Sequence, residues 1–162
     1  MEFEAVVLPH LDSAYTLARY LTRNDADAQD AVQDAALRAL KYFDGFHGTD
    51  GASARAWFLA IVRNTVYTRQ QRHGADAAIE FNEELHSDGG ARDDPETALD
   101  LQRAIDALPL EFREVIVLRE VEGLSYKEIS DVAGIPVGTV MSRLARARKR
   151  LQSALSVGTE GR

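Results

Sequence analysis

The stretch GLSYKEISDVAGIPVGTVMSRLARARKRL, residues 123–151, constrains the fold more than any other part of the chain. Ser125 followed three residues later by Glu128 predicts a capping box, in which each side chain bonds the other residue's backbone N–H at the start of a helix. Gly134 stands where that helix needs a left-handed residue to end, and Pro136 suits the first turn of the next helix. Two short helices around a glycine turn form a helix-turn-helix, whose second helix enters the major groove of DNA.

The second helix of this unit has an apolar face and a cationic face. Residues at helical spacing are predicted to face the core, and these are Val137, Val140, Leu144, Ala147 and Leu151. Between positions 142 and 151 the chain has five basic residues and no acidic one. A cationic run alone is typical of any solvated surface helix, but its place on the capped second helix favours contact with DNA phosphates.

Composition excludes several classes of protein. The chain has no cysteine, so disulfides and thiolate metal sites are not available. No apolar run approaches the roughly 20 residues that a membrane-spanning helix needs. The first residues, MEFEAVVLPHLD, are acidic and lack the basic start of a signal peptide. We therefore expect a cytoplasmic protein without membrane insertion.

The net charge of −7 is concentrated in one segment. Residues 73–100 contain nine acidic residues and one basic residue, a net charge of −8, and the rest of the chain carries +1. This acidic segment contains glycines and has little periodicity, which favours a linker. We therefore expect an all-α fold of two small helical domains, residues 1–73 and 96–155, joined by an acidic flexible linker at 74–95 and followed by a tail at 156–162.

Helix signals are clear in the first of these domains. Pro9 is expected to kink the first helix or to mark its true start. Asp25 is a plausible N-cap for the next helix, which is expected to run to about Phe43. A glycine-containing loop follows, and a further helix is expected from about Ala54 to Arg72.

The second block resembles the promoter-reading domain of bacterial RNA polymerase sigma factors of the extracytoplasmic-function (ECF) type. The matching motifs are Leu108-Pro109, Arg113-Glu114-Val115, Gly123-Leu124-Ser125-Tyr126, Pro136-Val137-Gly138-Thr139-Val140 and Ser142-Arg143-Leu144. In the first block, DAQDAVQDAALRALKYFDGF resembles the family's polymerase-docking helix, and ARAWFLAIVRNTVYTRQQR its promoter-melting helix. The resemblance covers about residues 5–155. Met141 is a departure, because a basic residue is frequent there in such motifs.

The resemblance implies a factor that makes no covalent change and needs no cofactor or metal. It implies that the chain binds core RNA polymerase and promoter DNA, initiates transcription of a specific regulon, is controlled by an anti-sigma factor and is a monomer when free. The residues expected to contact the upstream (−35) element are Pro136, Gly138, Thr139, Ser142, Arg143, Arg146, Arg148, Lys149 and Arg150. Those expected at the −10 element are Phe46, His47, Gly48, Arg63, Asn64, Arg69 and Arg72. Those expected to meet core polymerase are Asp30, Gln33, Asp34, Leu37 and Arg38.

Chemistry gives these residues different expected roles. Arg143 and Arg146 can donate to guanine edges or to phosphates, and hydroxyls suit either partner. Backbone N–H groups at Gly138 and Thr139 suit a phosphate at the helix start. The cations at 148–150 are expected to supply salt-sensitive, sequence-independent attraction.

Other functions remain to be distinguished. The four histidines are scattered, and the chain has no HExxH, phosphate loop or nucleophile elbow, so an enzyme is disfavoured. A helix-turn-helix regulator that acts without polymerase would usually dimerise on a palindrome. A sigma-like decoy that sequesters an anti-sigma factor is the third alternative, although the intact second helix argues against it.

Overall fold

The structure, a computed structural model, describes the backbone of residues 2–88 and 97–160 and the side chains of residues 2–72 and 100–155. Within these ranges the regular elements are helical, as the sequence predicts. The helices are α1 (Phe3–Val7), α2 (Leu11–Thr22), α3 (Asp25–Lys41), α4 (Gly51–Asp88), α5 (Thr97–Asp106), α6 (Leu110–Ile116), α7 (Tyr126–Ala133) and α8 (Val137–Glu160). Short 3-10 turns follow α1 and α3 at Leu8–His10 and Phe43–Gly45, and a π-helical turn at Val117–Val121 continues α6.

Pro9 interrupts the first helical segment as expected, but the N-cap of α3 differs from the prediction. Pro9 lies in the 3-10 turn that separates α1 from α2. Asn24, rather than Asp25, is the N-cap, and its side chain accepts the N–H of Asp27 at 2.9 Å. Asp25 is the first helical residue, and its carboxylate instead accepts a 2.6 Å bond from Nε of Arg19.

Helix α4 is longer than the sequence predicts. The expected helix ends near Arg72 and a linker follows, but the backbone stays helical to Asp88. The segment ADAAIEFNEELH is rich in alanine and glutamate, and these good helix formers outweigh the single Gly74 at its start. The rest of the expected linker, residues 89–95, lies outside the described residues.

Each half of the chain has buried helical faces. Four alanines of α3 are fully buried, and their small side chains let α2 and α4 approach closely; they are Ala28, Ala31, Ala35 and Ala39. Phe58 and Leu59 of α4 and Leu17 of α2 fill the space opposite them with no exposed surface. In the second half, Leu118 and Leu144 are buried between α6, α7 and α8.

The two halves also pack on each other. Helix α2 lies against α6, and α4 lies along α7, so the buried apolar residues form one continuous cluster. Arg113, which is 1% exposed, donates to the backbone carbonyl of Tyr20 across this boundary at 3.2 Å. Burial, with the nearby charge of Arg23, lowers the pKa of Arg113 to about 10. The acidic segment therefore connects two halves that are in direct contact.

The predicted helix-turn-helix is confirmed in its details. Both bonds of the capping box are present, with Glu128 N–H donating to Oγ of Ser125 at 3.1 Å and Ser125 N–H to Oε1 of Glu128 at 2.8 Å. Gly134 ends α7 with φ of +71°, a left-handed conformation that glycine adopts without strain. Val140 is buried as predicted, but the prediction for Val137 was wrong: it is 37% exposed, because the first turn of α8 extends past the core.

Candidate nucleic-acid interface

The solvent-facing side of α8 carries polar and cationic side chains. Ser142, Arg146 and Lys149 are all exposed. Arg143 is only half-buried and sits close enough to the buried Glu114 to act on its carboxylate electrostatically. The two arginines predicted to read bases therefore differ, because Arg146 lies on the open face and Arg143 is turned toward α6.

Two further cations of α8 contact their own half of the chain. Nη2 of Arg148 lies 2.7 Å from Oε1 of Glu120, and this hydrogen bond raises the pKa of Arg148. The guanidinium of Arg150 stands over the ring of Phe112, 4.8 Å from its centroid. Both side chains remain exposed, and their expected role in general attraction to phosphates stays a prediction.

The start of α8 offers one of the two predicted phosphate-binding amides. The N–H of Thr139 donates to the carbonyl of Pro136 at 3.0 Å and is therefore engaged within the turn. Gly138 and Pro136 are exposed at the end of the helix. The Thr139 carbonyl accepts the Ser142 hydroxyl at 3.1 Å, which orients that side chain along the helix surface.

The loop before α4 is built on an aromatic cluster. The ring centroid of Phe46 lies 5.1 Å from that of Trp57 and 6.2 Å from that of Phe43. Gly48 fits closely beneath, since a Cβ there would approach the Phe46 ring to 2.6 Å and Cβ of Ser53 to 2.5 Å. Phe46 is thus half-buried in the cluster, and a larger residue at position 48 would displace the loop that holds it.

His47 and Asp50 occupy the outer side of the same loop, where both are exposed. The Asp50 carboxylate accepts the N–H of Ser53 at 2.8 Å, a bond that lowers the pKa of Asp50 and begins α4. The bond between Asp50 and Ser53 therefore anchors the end of the loop to α4, and the His47 side chain stays at the surface.

Arg63 of α4 is bound to the other half of the chain. Its Nε lies 2.7 Å from Oε2 of Glu114, a residue of α6 that is 0% exposed, and its guanidinium stacks 3.8 Å above the ring of Tyr67. Burial raises the pKa of Glu114 against the opposing influence of Arg63, and burial together with the Glu114 charge raises the pKa of Tyr67 to about 12. The predicted DNA contact at Arg63 is therefore occupied by a carboxylate, whereas the adjacent Asn64 is exposed.

A second ion pair joins α4 to α7. Nη2 of Arg55 lies 3.2 Å from Oε2 of Glu128, and its Nη1 donates to the carbonyl of Glu122 at 3.4 Å. Glu128 is the capping-box glutamate, so one carboxylate both caps α7 and pairs with the other half. This contact places α4 directly against the first helix of the helix-turn-helix.

The predicted −10 and polymerase surfaces meet at Arg69. Its guanidinium lies 4.0 Å from a carboxylate oxygen of Asp30 and 3.9 Å from one of Asp34, and Arg38 pairs with Asp34 at 3.6 Å. Three residues assigned to polymerase contact and one assigned to DNA thus form a single charged group. Arg72 is exposed one turn farther along α4.

The exposed side of α3 carries an apolar patch that the sequence analysis found only in part. Leu37, predicted as a polymerase contact, is 68% exposed, and Gln33 beside it is exposed as well. Leu40 and Tyr42, which the analysis missed, are 57% and 58% exposed. Leu40 lies outside the alanine stripe of α3, which was the available signal, whereas Tyr42 follows the end of the helix. Neighbouring exposed apolar side chains mark a protein-binding surface.

Among the described residues, neither a metal-binding cluster nor a membrane-spanning helix is present. Over the residues with described side chains, no group of three or more His, Cys, Asp or Glu residues is arranged to hold a metal ion. In the helices described above, none is both long and apolar enough to cross a bilayer.

Two family models match the chain in sequence order. The model described as Sigma-70 region 2 matches residues 6–75, and the model described as Sigma-70, region 4 matches residues 98–151. The first match contains α2, α3 and the start of α4, and the second contains the helix-turn-helix.

Curated proteins and solved structures agree with these matches. ECF RNA polymerase sigma factor EcfG of Rhodopseudomonas palustris is 33% identical over 154 residues, which cover 93% of this chain and 83% of that protein. ECF RNA polymerase sigma factor SigE of Mycolicibacterium smegmatis is 31% identical over 95% of this chain, and the match spans 62% of that protein's length.

The solved structures extend this likeness to the fold. The sigma factor RpoE of Bartonella quintana, solved with the anti-sigma factor NepR, gives a TM-score of 0.74 at 30% identity, covering 96% of this chain and 97% of that one. CnrH, solved with the cytosolic domain of CnrY, gives 0.68 at 26% identity, covering 96% and 88%. With region 2, region 4 and the capped helix-turn-helix in one chain, the protein belongs to the ECF family of RNA polymerase sigma factors.

Proposed function

We propose that the chain is an alternative sigma factor that binds core RNA polymerase, recognises −35 and −10 promoter elements and initiates transcription of a specific regulon. The observation that carries this proposal is the order of region 2 and region 4 along one chain, with 33% identity to EcfG across both. Sigma factors are transcription regulators rather than enzymes. The protein acts in the cytoplasm, where polymerase and promoters are.

Helix α8 is the reading helix for the −35 element. Ser142 and Arg146 are exposed on its outer face, where side chains of a second helix reach base edges in the major groove. Lys149 and the exposed guanidinium of Arg148 add attraction to the phosphates. The exposed N–H end of α8 at Gly138 provides an anion site for one phosphate.

The first half serves the −10 element and the polymerase. The loop at 46–50 and the exposed Asn64 form the surface that receives an unpaired base, for which aromatic and cationic groups are suited. The exposed apolar side chains of Leu37 and Leu40 on α3 dock on the polymerase. Asp30, Asp34 and Arg38 give that docking surface its charged border.

Promoter recognition requires the two halves to separate. Two sites that are two helical turns of DNA apart are separated by about 70 Å, whereas in this structure α4 lies along α7. Separation releases Arg63 from Glu114 and makes its guanidinium available to the −10 strand. Polymerase binding through α3 provides the energy for this step.

An anti-sigma factor controls the protein by stabilising the closed arrangement. RpoE of Bartonella quintana was solved with the anti-sigma factor NepR and CnrH with the cytosolic domain of CnrY, and each covers 96% of this chain, across both halves. A partner that binds both halves at once opposes the separation that promoter recognition requires. In the absence of a partner the chain is a monomer.

Run-off transcription tests the proposal. Purified core polymerase, the chain and a pool of candidate promoters are compared with a core-only control at fixed salt and pH. Specific transcripts that disappear when the chain is truncated after residue 96 are expected. Absence of transcripts with tight binding to an anti-sigma candidate would indicate a decoy, and specific binding to a palindrome without polymerase would indicate a separate regulator.

A further inference from the structure

Met141 is an exposed apolar residue on α8, the helix that the proposed function assigns to the −35 element. Its side chain is 52% exposed, whereas Val140 before it is 0% and Leu144 after it is 1% exposed. The core of the second half is therefore complete without this methionine. A single exposed apolar side chain is common on protein surfaces, but one that belongs to a contiguous exposed apolar strip marks a contact surface.

The surroundings of Met141 form a low apolar strip. Val137 and Ala145 lie one turn before and one turn after it, because residues four apart share a helix face, and both are exposed. Gly138, at three residues' distance, has no side chain and is exposed. The small residues on either side let a partner surface approach the helix closely, so that Met141 is the group that projects into it.

Charge identifies the partner as nucleic acid. Between Asp131 and Glu160 the chain contains no acidic residue, and exposed Lys149, four residues after Ala145, borders the strip. Such a surface attracts anionic partners, and among these duplex DNA presents the densest regular array of negative charge. Met141 itself has no hydrogen-bond donor and only a weak sulfur acceptor, so it cannot clamp a phosphate or bind guanine as arginine does.

We propose that Met141 is a specificity-determining residue that contacts the C5-methyl group of a thymine in the −35 element. In the major groove the thymine methyl is the apolar group that a base edge presents, and apolar side chains are its usual partners. The flexible, polarisable thioether adapts to this small target. The inference rests on the proposed function, since it assigns α8 to the −35 element.

The test removes one methyl group from the DNA. Holoenzyme selects its preferred −35 sequences from a randomised library with a fixed −10 element, and each selected thymine is then replaced by uracil. We expect one replacement to weaken wild-type binding about fourfold, the effect of burying one methyl-sized group. Met141→Ala should bind the thymine and uracil promoters equally, whereas Met141→Leu should keep the preference. Val121→Ala, which removes another exposed apolar side chain outside α8, should behave as wild type.

A chemical modification provides a second test without a substitution. The chain has no cysteine and its other methionine is Met1, so Met141 is the one internal sulfur site for mild peroxide. The sulfoxide is polar, and it should abolish the preference for thymine over uracil. Methionine sulfoxide reductases should restore it, and Met141→Leu should not respond to peroxide.

The outcomes separate the proposal from the function on which it rests. If wild type and Met141→Ala lose the same affinity on every thymine-to-uracil replacement, or if oxidation leaves the preference intact, Met141 does not read a methyl group although the chain is a sigma factor. If wild-type holoenzyme selects no −35 sequence, both proposals are overturned.

Discussion

The two helices assigned to promoter DNA, α4 and α8, are exposed to different degrees in the same molecule. On α8 the side chains of Ser142 and Arg146 face solvent. On α4 the side chain of Arg63 is 19% exposed and is bound to a carboxylate that is fully buried. The closed chain therefore exposes the side chains assigned to the −35 element and keeps Arg63, assigned to the −10 element, in an ion pair. Assigned DNA contacts on the two helices cannot be treated as equivalent in the free protein.

The largest effect is expected from breaking the ion pair between Arg63 of α4 and Glu114 of α6. Arg63→Ala leaves the Glu114 carboxylate buried without its nearest cation, and we expect the free energy of unfolding to fall by about 3 kcal/mol. Urea unfolding followed by circular dichroism measures it. Arg72→Ala, at an exposed site on the same helix, should change it by less than about 0.5 kcal/mol. Equal losses in the two variants would show that the buried pair does not stabilise the closed chain.

The second prediction concerns the exposed side chains of α8. Arg146→Ala should cost about 1–3 kcal/mol of promoter binding and relax the preference at one base of the −35 element. Arg148→Ala should weaken all sequences nearly equally, because that guanidinium is held by Glu120 beside the helix. Dissociation constants of holoenzyme on single-base promoter variants distinguish the two. A base-specific loss at Arg148 and a uniform loss at Arg146 would reverse the assignment.

The pH dependence of stability tests how burial acts on Glu114, the partner of Arg63. Burial raises the pKa of Glu114 above its ordinary 4.5, so just above pH 4.5 the folded chain holds a proton that the unfolded chain releases. The stability of the wild type should therefore fall as pH rises through that window. Glu114→Gln lacks the titration and should not show this loss. If the wild type instead gains stability relative to Glu114→Gln as pH rises, pairing with Arg63 outweighs burial.

The smallest effect is expected from the partly exposed ion pair between Arg55 and Glu128. Arg55→Gln removes the pair with Glu128, whose side chains are 26% and 19% exposed, and should favour the open chain by about 0.5–1 kcal/mol. Because the chain has no cysteine, spin labels at Gln33→Cys and Gln152→Cys report the distance between the halves directly. Lys127→Gln, which breaks an exposed pair within α7, should leave the distance distribution unchanged. An unchanged distribution in Arg55→Gln would show that this pair does not hold the halves together.

Local features of the chain were predictable from sequence because their causes lie a few residues apart. The cap at Ser125 and the left-handed Gly134 depend on spacing alone, and both are present. The Arg63–Glu114 pair was not predictable, since its partners are 51 residues apart and meet only through packing of the two halves. The same limit applies to Val137 and Leu40, whose helical spacing is clear but whose exposure depends on where the neighbouring helices end.

The end of α4 shows a different limit. Charge and glycine content predicted a linker after Arg72, yet alanine and glutamate continue the helix to Asp88. Composition that is too acidic to form a core can still form a helix, because helical hydrogen bonds are local and need no apolar partner.

The Glu128 carboxylate both caps α7 and contacts Arg55, and this bears on the opening that the proposed function requires. Oε1 accepts the Ser125 N–H at 2.8 Å, and Oε2 is the closer oxygen to Arg55, at 3.2 Å. Departure of Arg55 therefore leaves the cap of α7 in place. The halves can part as rigid bodies on the microsecond-to-millisecond scale of domain motion, without the slower local unfolding that a shared cap would impose. In the proposed opening, the helix-turn-helix would be released already folded, and promoter binding would not wait for a helix to form again.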